Sequence, residues 1–307
     1  MRVWLPYQSL AEAEARLGGW PAGIEVDVWG QGRVPSSADE VVYLAVPNYA
    51  AVPVWDQIEA AVPRLRWVQL GSAGFEHMLD RVPAEVGLCN AAGVHDAGTA
   101  ELAVGLALAA LRGIDKYAVD RLSQSFAPIY SDSLADKRVL IVGYGHIGSA
   151  IERRLAGFEV ASVTRVARHA RIDPPVHAAD DLPALVGRAD VIFLAVPGSA
   201  ETEALIGAEL MALMPDNALI VNVGRGVLVD TNALVGQAGR IRAALDVTEP
   251  EPLPPDHPLW TADYVTWTPH IGGFTRAFEP RYDALLHAQL ARLANDEPLL
   301  NVVRSPA

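Results

Sequence analysis

The residues that could do chemistry gather in the second half of the chain, each at the end of an apolar run. Gly143-Tyr144-Gly145-His146-Ile147-Gly148 is a G-x-G-x-x-G hexapeptide directly after Val139-Leu140-Ile141-Val142. Glycine is common, so the hexapeptide alone carries little; a strand before it and a helix after it make it specific. Gly143 permits a tight turn, Gly145 lets backbone approach a pyrophosphate, and Gly148 lets the helix pack closely on the strand. The helix would also turn unpaired N–H groups and its positive dipole end toward the phosphates. This context predicts a bound dinucleotide. Further along, Val221-Asn222-Val223-Gly224-Arg225-Gly226 delivers an arginine from an apolar strand, flanked by glycines. Its fork could hold a carboxylate and a neighbouring carbonyl oxygen together. Asp246-Val247-Thr248-Glu249-Pro250-Glu251-Pro252 begins where another strand stops, and Thr268-Pro269-His270-Ile271-Gly272-Gly273 follows the last short strand.

Which dinucleotide binds depends on a position about 20 residues past the first glycine, where a carboxylate would bond the ribose 2′-hydroxyl of NAD. A strand is predicted over 159–163, ending in Thr164-Arg165 with Arg168 close behind, and neither Asp nor Glu stands there. A carboxylate would face a 2′-phosphate at a cost of about 4 kcal/mol for unit charges ~4 Å apart at an effective dielectric of ~20. Thr164 removes that repulsion, and Arg165 or Arg168 could add bidentate attraction. NADP(H) is therefore expected in preference to NAD(H), with NAD(H) the alternative.

These residues need a scaffold that brings strand ends together. In the first ninety residues short β-rich runs at 3–5, 24–28, 41–45, 67–70 and 86–88 alternate with helical spacing at 10–17 and 55–62. A second and cleaner alternation runs from 138, with strands expected at 138–143, 190–196, 218–223, 241–247 and 264–267, and helices at 146–156, 204–214, 231–238 and 280–294. Alternation of this kind predicts βαβ units and parallel sheets. The fold class expected is α/β, with two Rossmann-like domains. Between the two patterns the Ala/Leu-rich stretch 100–111 is apolar nearly all round, which fits either a junction between domains or subunits or an ordinary core helix.

Composition removes other classes. The chain has 307 residues, 51% of them apolar and 20% charged, enough for two domains and well outside disordered or collagen-like compositions. Lys plus Arg number 24 against 37 Asp plus Glu, a net charge of −13 that opposes binding to nucleic acid or to an anionic membrane. Cys89 is the one cysteine, so neither an intrachain disulfide nor a cysteine metal cluster is expected, and the remaining histidines lack metal-ligand spacing. Lys116 and Lys137, the two lysines, lie outside any G-K-[ST] context, which excludes a P-loop. The N-terminus has no signal-peptide pattern and the longest apolar run is half a membrane span. A cytoplasmic protein without a resident metal is expected.

With these motifs in order, the sequence resembles the D-isomer-specific 2-hydroxyacid dehydrogenases, particularly their glyoxylate/hydroxypyruvate reductase branch, from about residue 65 onward. The stretch Asp246-Val247-Thr248-Glu249-Pro250-Glu251-Pro252-Leu253-Pro254-Pro255-Asp256-His257-Pro258-Leu259 is especially similar. The resemblance implies catalytic roles for Arg225, Glu251 and His270; the spacing of five after Asp246 selects Glu251 over Glu249. It implies that Asp246 holds the nicotinamide carboxamide. Thr99, Val196, Pro197, Thr202, Val223, Gly224 and Gly272 would line the cofactor, beside Gly143, Tyr144, Gly145, His146, Ile147 and Gly148. Ser72, Ala73 and Gly74, in Leu70-Gly71-Ser72-Ala73-Gly74, would cup a substrate carboxylate with backbone N–H groups, with Arg225 and His270 completing the substrate site.

The chemistry implied is hydride transfer between a nicotinamide and a small anionic 2-oxo or 2-hydroxy acid. Arg225 would stabilise the developing oxyanion. His270, kept charged by Glu251, would supply the proton. The resemblance further implies a substrate domain from 1–93 and 274–307, a cofactor domain at 94–273 and a homodimer through the 100–111 region. The segment 123–133 departs from the family in lacking a Trp, and no regulatory domain of the long phosphoglycerate dehydrogenases is expected after the last helix. A different class of protein, a dehydrogenase-like NAD(P)-sensing binding protein or corepressor with little turnover, is the alternative; retention of Arg225, Glu251 and His270 argues against it.

Overall fold

The computed structural model describes residues 1–29, 34–47, 55–56, 58 and 61–307. Part of the helix expected at 55–62 lies outside the described residues. The chain divides into two compact units, 1–95 with 276–307, and 96–275.

The larger unit, 96–275, holds seven strands: β6 (Arg138–Val142), β7 (Ser162–Ala167), β8 (His177–Ala178), β9 (Val191–Leu194), β10 (Leu219–Asn222), β11 (Arg242–Leu245) and β12 (Val265–Trp267). They lie in the order β12-β11-β10-β9-β6-β7-β8, all parallel. Strand order reverses at β6 and β9, so the loops after these two strands leave the sheet's carboxyl edge in opposite directions and open a crevice there. The continuous apolar runs follow from burial on both faces. Leu140, Val142, Ile192, Leu194, Ile220 and Leu245 pack on one face; Val139, Ile141, Val191, Phe193, Leu219 and Val221 pack on the other. Each such side chain, fully buried, contributes roughly 1.5–3 kcal/mol.

Helix Asp96–Arg112 belongs to that second face. Ala100, Ala103, Val104, Ala107, Ala110 and Leu111 are buried in the same cluster as β6, β9 and β10. Its apolar character is thus used within the unit, as a core helix. Exposed apolar side chains begin just beyond it: Val119, Leu122, Phe126 and Tyr130, the last two almost wholly exposed.

The smaller unit orders its six strands β13-β5-β4-β3-β1-β2, comprising β1 (Arg2–Leu5), β2 (Glu25–Val28), β3 (Val41–Ala45), β4 (Trp67–Gln69), β5 (Gly87–Cys89) and β13 (Val302–Arg304). Five are parallel; β13 is antiparallel to β5 and closes one edge. Trp4, Leu44, Val68 and Leu88 fill one face, and Val3, Leu5, Tyr43 and Ala45 the other. Among the described residues no single helix is long and apolar enough to cross a membrane, and no group of three or more His, Cys, Asp or Glu is placed to hold a metal.

Candidate active site

The phosphate loop is shaped by sterics. Gly143 sits at φ +101°, and a Cβ there would lie 2.5 Å from the Ala195 carbonyl. A Cβ on Gly148 would lie 2.2 Å from the Gly143 oxygen, so helix His146–Leu155 can start this close to β6 only with glycine. Gly145 differs: a Cβ there would meet nothing within 4 Å. The bare backbone of Gly145 therefore faces open space at a helix N-terminus, the surface a pyrophosphate needs for close approach. Gly143, Gly145 and Gly148 fit a dinucleotide on this ground, while Ile147 packs against the core beneath the loop. The His146 ring leans toward Asp96, Nδ1 to Oδ2 3.3 Å, and is largely exposed.

The strand that should present the cofactor-selecting residue does not end where the sequence suggested. Glu159 adopts a left-handed turn (φ +55°), and β7 starts only at Ser162 and runs to Ala167 because Val166 is a buried core residue. Thr164 and Arg165 therefore pair with Leu140 and Ile141 inside the sheet, and the tip is occupied by exposed Arg168. Arg165 is also already engaged. Its Nε donates to Glu152 Oε2 at 2.8 Å and its Nη2 to Glu152 Oε1, and Glu152 accepts from the Tyr144 hydroxyl as well. The bond from Arg165 holds the Glu152 carboxyl below its usual range. Tyr144 is flanked by the guanidinium carbons of Arg165 and Arg171, 5.4 and 5.5 Å from its ring centre, and Arg171 donates to the Tyr144 carbonyl. Thr164 and Arg165 thus lie within the sheet, two residues and one residue short of buried Val166, and exposed Arg168 follows the strand end. Arg171, which the sequence reading passed over, braces the phosphate loop.

The loops after β9 and β10 meet. A Cβ on Gly224 would approach the Val196 oxygen to 2.8 Å, and one on Gly226 would overlap the Thr248 oxygen at 1.8 Å. Both glycines thus admit neighbouring backbone, and they fix the segment that carries Arg225. Asn222, fully buried at the end of β10, folds this tip. Its Nδ2 donates to the Arg225 carbonyl at 2.9 Å and its Oδ1 accepts the Gly224 N–H at 3.0 Å. The Arg225 stem passes Gly198 closely enough that a Cβ there would lie 3.1 Å from Cγ. Thr202 closes the loop after β9, its hydroxyl donating to the Pro197 carbonyl at 2.9 Å and accepting the Ser199 N–H at 2.8 Å.

Asp246, 2% exposed at the end of β11, organises the loop that bears His270. Its Oδ1 accepts from Thr268 Oγ1 at 2.7 Å and the Ile271 N–H at 2.8 Å, while Oδ2 accepts the Gly272 N–H at 2.9 Å. Its carbonyl accepts the His270 N–H at 2.8 Å. His270 itself has φ +52°, a conformation that a non-glycine residue adopts at a cost of ~1–2 kcal/mol. Those bonds hold it there. Thr99 packs against Gly272, whose Cβ would come within 3.3 Å of the threonine methyl.

His270 Nδ1 lies 2.6 Å from Glu251 Oε1, across 19 residues of sequence, and both side chains are about two-fifths exposed. A carboxylate only accepts, so Nδ1 carries hydrogen and Nε2 is left to exchange a proton. The bond to Glu251 raises the His270 pKa against the opposing effect of burial, with Asp246 adding to the rise and Arg225 subtracting from it. Burial raises the Glu251 carboxyl, but the bond to His270 and the charges of His270 and Arg225 outweigh it and hold the group low. Arg225, Glu251 and His270 thus share one electrostatic neighbourhood, although they come from three separate strand ends.

The loop with Ser72, Ala73 and Gly74 lies in the other unit, between β4 and β5, half-buried.

The family profile for the NAD binding domain of D-isomer specific 2-hydroxyacid dehydrogenases matches residues 104–272. The chain belongs to the D-isomer specific 2-hydroxyacid dehydrogenase family. It is 33% identical over 266 residues to D-3-phosphoglycerate dehydrogenase of Methanocaldococcus jannaschii, covering 82% of this chain and 49% of that protein. To glyoxylate reductase of Thermofilum pendens it is 35% identical over 240 residues, covering 72% of this chain and 70% of that one. Among solved structures it is similar to an NADPH-dependent glyoxylate/hydroxypyruvate reductase of Sinorhizobium meliloti, with TM-score 0.77, 25% identity, and 98% and 97% of the two chains covered. The chain therefore spans about half the length of one of these curated relatives and over two thirds of the other. As members of the family, its relatives are enzymes, and the dinucleotide fold of the larger unit is the family's own.

Proposed function

We infer that the protein reduces a small 2-oxo acid to the D-2-hydroxy acid, with glyoxylate and hydroxypyruvate as first candidates and NADPH preferred over NADH. The observation that carries this reading is the 2.6 Å bond from His270 Nδ1 to Glu251 Oε1 in the field of Arg225. A nicotinamide held by the phosphate loop would supply the hydride to the carbonyl carbon, and the other roles fall to the chain's own residues. Arg225 holds the acid and stabilises charge as it develops on the carbonyl oxygen. His270 Nε2 delivers a proton to that oxygen and takes it back in the oxidation direction. Glu251 keeps the ring charged before transfer and fixes its orientation. Asp246 serves this step by holding the His270 loop.

The NADPH preference rests on exposed Arg168 at the tip of β7, with Arg171 beside the phosphate loop; the Sinorhizobium relative is itself described as NADPH-dependent. The smaller unit (1–95, 276–307) would be the substrate domain and the larger one the cofactor domain. A homodimer would cover the exposed apolar side chains of Val119, Leu122, Phe126 and Tyr130. The test is NADPH consumption with a panel of 2-oxo acids. Turnover supports the reading. Tight NADPH binding without turnover of any acid would favour the nucleotide-sensing alternative.

A further inference from the structure

The loop 71–74 is held in an unusual way. Each of its four carbonyl oxygens is taken by a donor of the same unit. The Gly71 oxygen accepts from His95 Nε2 at 2.8 Å and the Ser72 oxygen accepts the Ala91 N–H at 2.8 Å. The Ala73 oxygen accepts from Asn90 Nδ2 at 2.7 Å and the Gly74 oxygen accepts from Ser72 Oγ at 2.6 Å. The N–H groups of Gly71, Ser72, Ala73 and Gly74 donate to no acceptor among the described residues. In a planar trans peptide the C=O of one residue and the N–H of the next point in opposite directions. Engaging the Gly71, Ser72 and Ala73 carbonyls therefore turns the Ser72, Ala73 and Gly74 N–H groups away from those donors, which leaves them available to an anion.

We propose that Asn90 and His95 are positioning residues for this anion cradle, setting the affinity for the substrate carboxylate through the carbonyls of Ala73 and Gly71. The proposal rests on the reading of loop 71–74 as the carboxylate site. Both residues are 8% exposed and held from behind. Asn90 Oδ1 accepts the Ala92 N–H at 3.2 Å, leaving Nδ2 aimed at Ala73. The His95 ring stacks on Phe278, centroids 5.1 Å apart and planes at 20°. Because a carbonyl only accepts, His95 carries hydrogen on Nε2. Neither residue touches the substrate in this scheme. The carboxylate keeps its charge through the reaction, so a looser cradle weakens ground and transition states alike, which raises KM far more than it lowers kcat.

Two His95 variants separate the hydrogen bond from packing. His95→Phe keeps a ring to stack on Phe278 but has no donor; His95→Gln loses the ring but places an amide donor near the position of Nε2. Steady-state kinetics with glyoxylate and NADPH would be accompanied by calorimetric binding of oxalate and by thermal melting. His95→Phe and Asn90→Ala should each raise the glyoxylate KM and the oxalate Kd about tenfold, the loss of one charge-linked hydrogen-bond arrangement. The NADPH KM should stay unchanged, and His95→Gln should recover most of the oxalate affinity. Wild-type oxalate affinity in His95→Phe, or a worse cradle in His95→Gln than in His95→Phe, would overturn the proposal while leaving the carboxylate site standing. A wild-type protein that neither reduces 2-oxo acids nor binds oxalate would overturn the reading of the loop and the proposal with it.

Discussion

His270 combines two constraints that pull in one direction. Its backbone is left-handed and held by Asp246, and its ring is bonded to Glu251 through Nδ1, so the side chain has little freedom and Nε2 is the nitrogen left for proton exchange. Its raised pKa gives the pH dependence a sign. Reduction needs the charged ring, so kcat/KM for reduction should fall as pH rises through the raised His270 value. Oxidation needs the neutral ring and should rise over the same range. Glu251→Gln removes the main cause of the rise, so the falling limb of the reduction profile should move to lower pH, which a rate profile in both directions would show. The same pair affects stability. The histidine contribution is complete below its unfolded value of ~6.5 and is lost as pH rises through the folded value. The glutamate contribution is present above its unfolded value of ~4.3 and is lost as pH falls through the depressed folded value. Since both side chains are about two-fifths exposed, this effect on melting is small beside the effect on rate. Asp246→Ala should act differently. It strips acceptors from Thr268, Ile271 and Gly272, and should lower kcat about 100-fold through displacement of His270. Urea unfolding should show a stability loss of ~3 kcal/mol.

At the scale of elements, what was legible depended on whether a constraint leaves a spacing in the sequence. The phosphate loop was legible because close backbone approach at Gly143 and Gly148 admits no side chain. Strands β6, β9, β10 and β11 were legible because burial on both faces demands unbroken apolar runs, whereas the two-residue β8 leaves none. β7 was not legible either, since Arg165 interrupts its pattern; that arginine is tolerated inside the sheet because Glu152 on the neighbouring helix neutralises it. β13 has three residues and earns its place by antiparallel pairing with β5, which no local pattern announces. Glu251 and His270 stand 19 residues apart and were paired through family resemblance alone. Asn90, Arg171 and Asn222 act on backbone carbonyls, which carry no sequence signature. The shift of β7 yields a discriminating pair of variants. Arg168→Ala should raise the NADPH KM about tenfold with little change for NADH, the loss of one charge-assisted contact to the 2′-phosphate. Arg165→Ala should leave the cofactor ratio near wild type and instead reduce stability by ~1 kcal/mol, seen as a lower melting temperature.

On the scale of the whole molecule, the family assignment and the two-unit α/β organisation agree with the alternation read along the chain, and the apolar stretch 100–111 packs in the core of the larger unit. Exposed Leu122 and Phe126 are among the side chains that the proposed homodimer would cover. Sedimentation should therefore give a dimer for the wild type and a monomer for Leu122→Asp combined with Phe126→Asp; a wild-type monomer, or a mutant dimer of unchanged affinity, would remove that surface from consideration. The central claim, that the bonded Glu251–His270 pair beside Arg225 moves the proton in 2-oxo acid reduction, has a direct test. NADPH oxidation with glyoxylate or hydroxypyruvate would be followed in the wild type and in His270→Gln. The account predicts clear turnover by the wild type and a loss of about 10²–10⁴-fold in kcat for the variant, with NADPH binding retained. Equal turnover by the two proteins would contradict it.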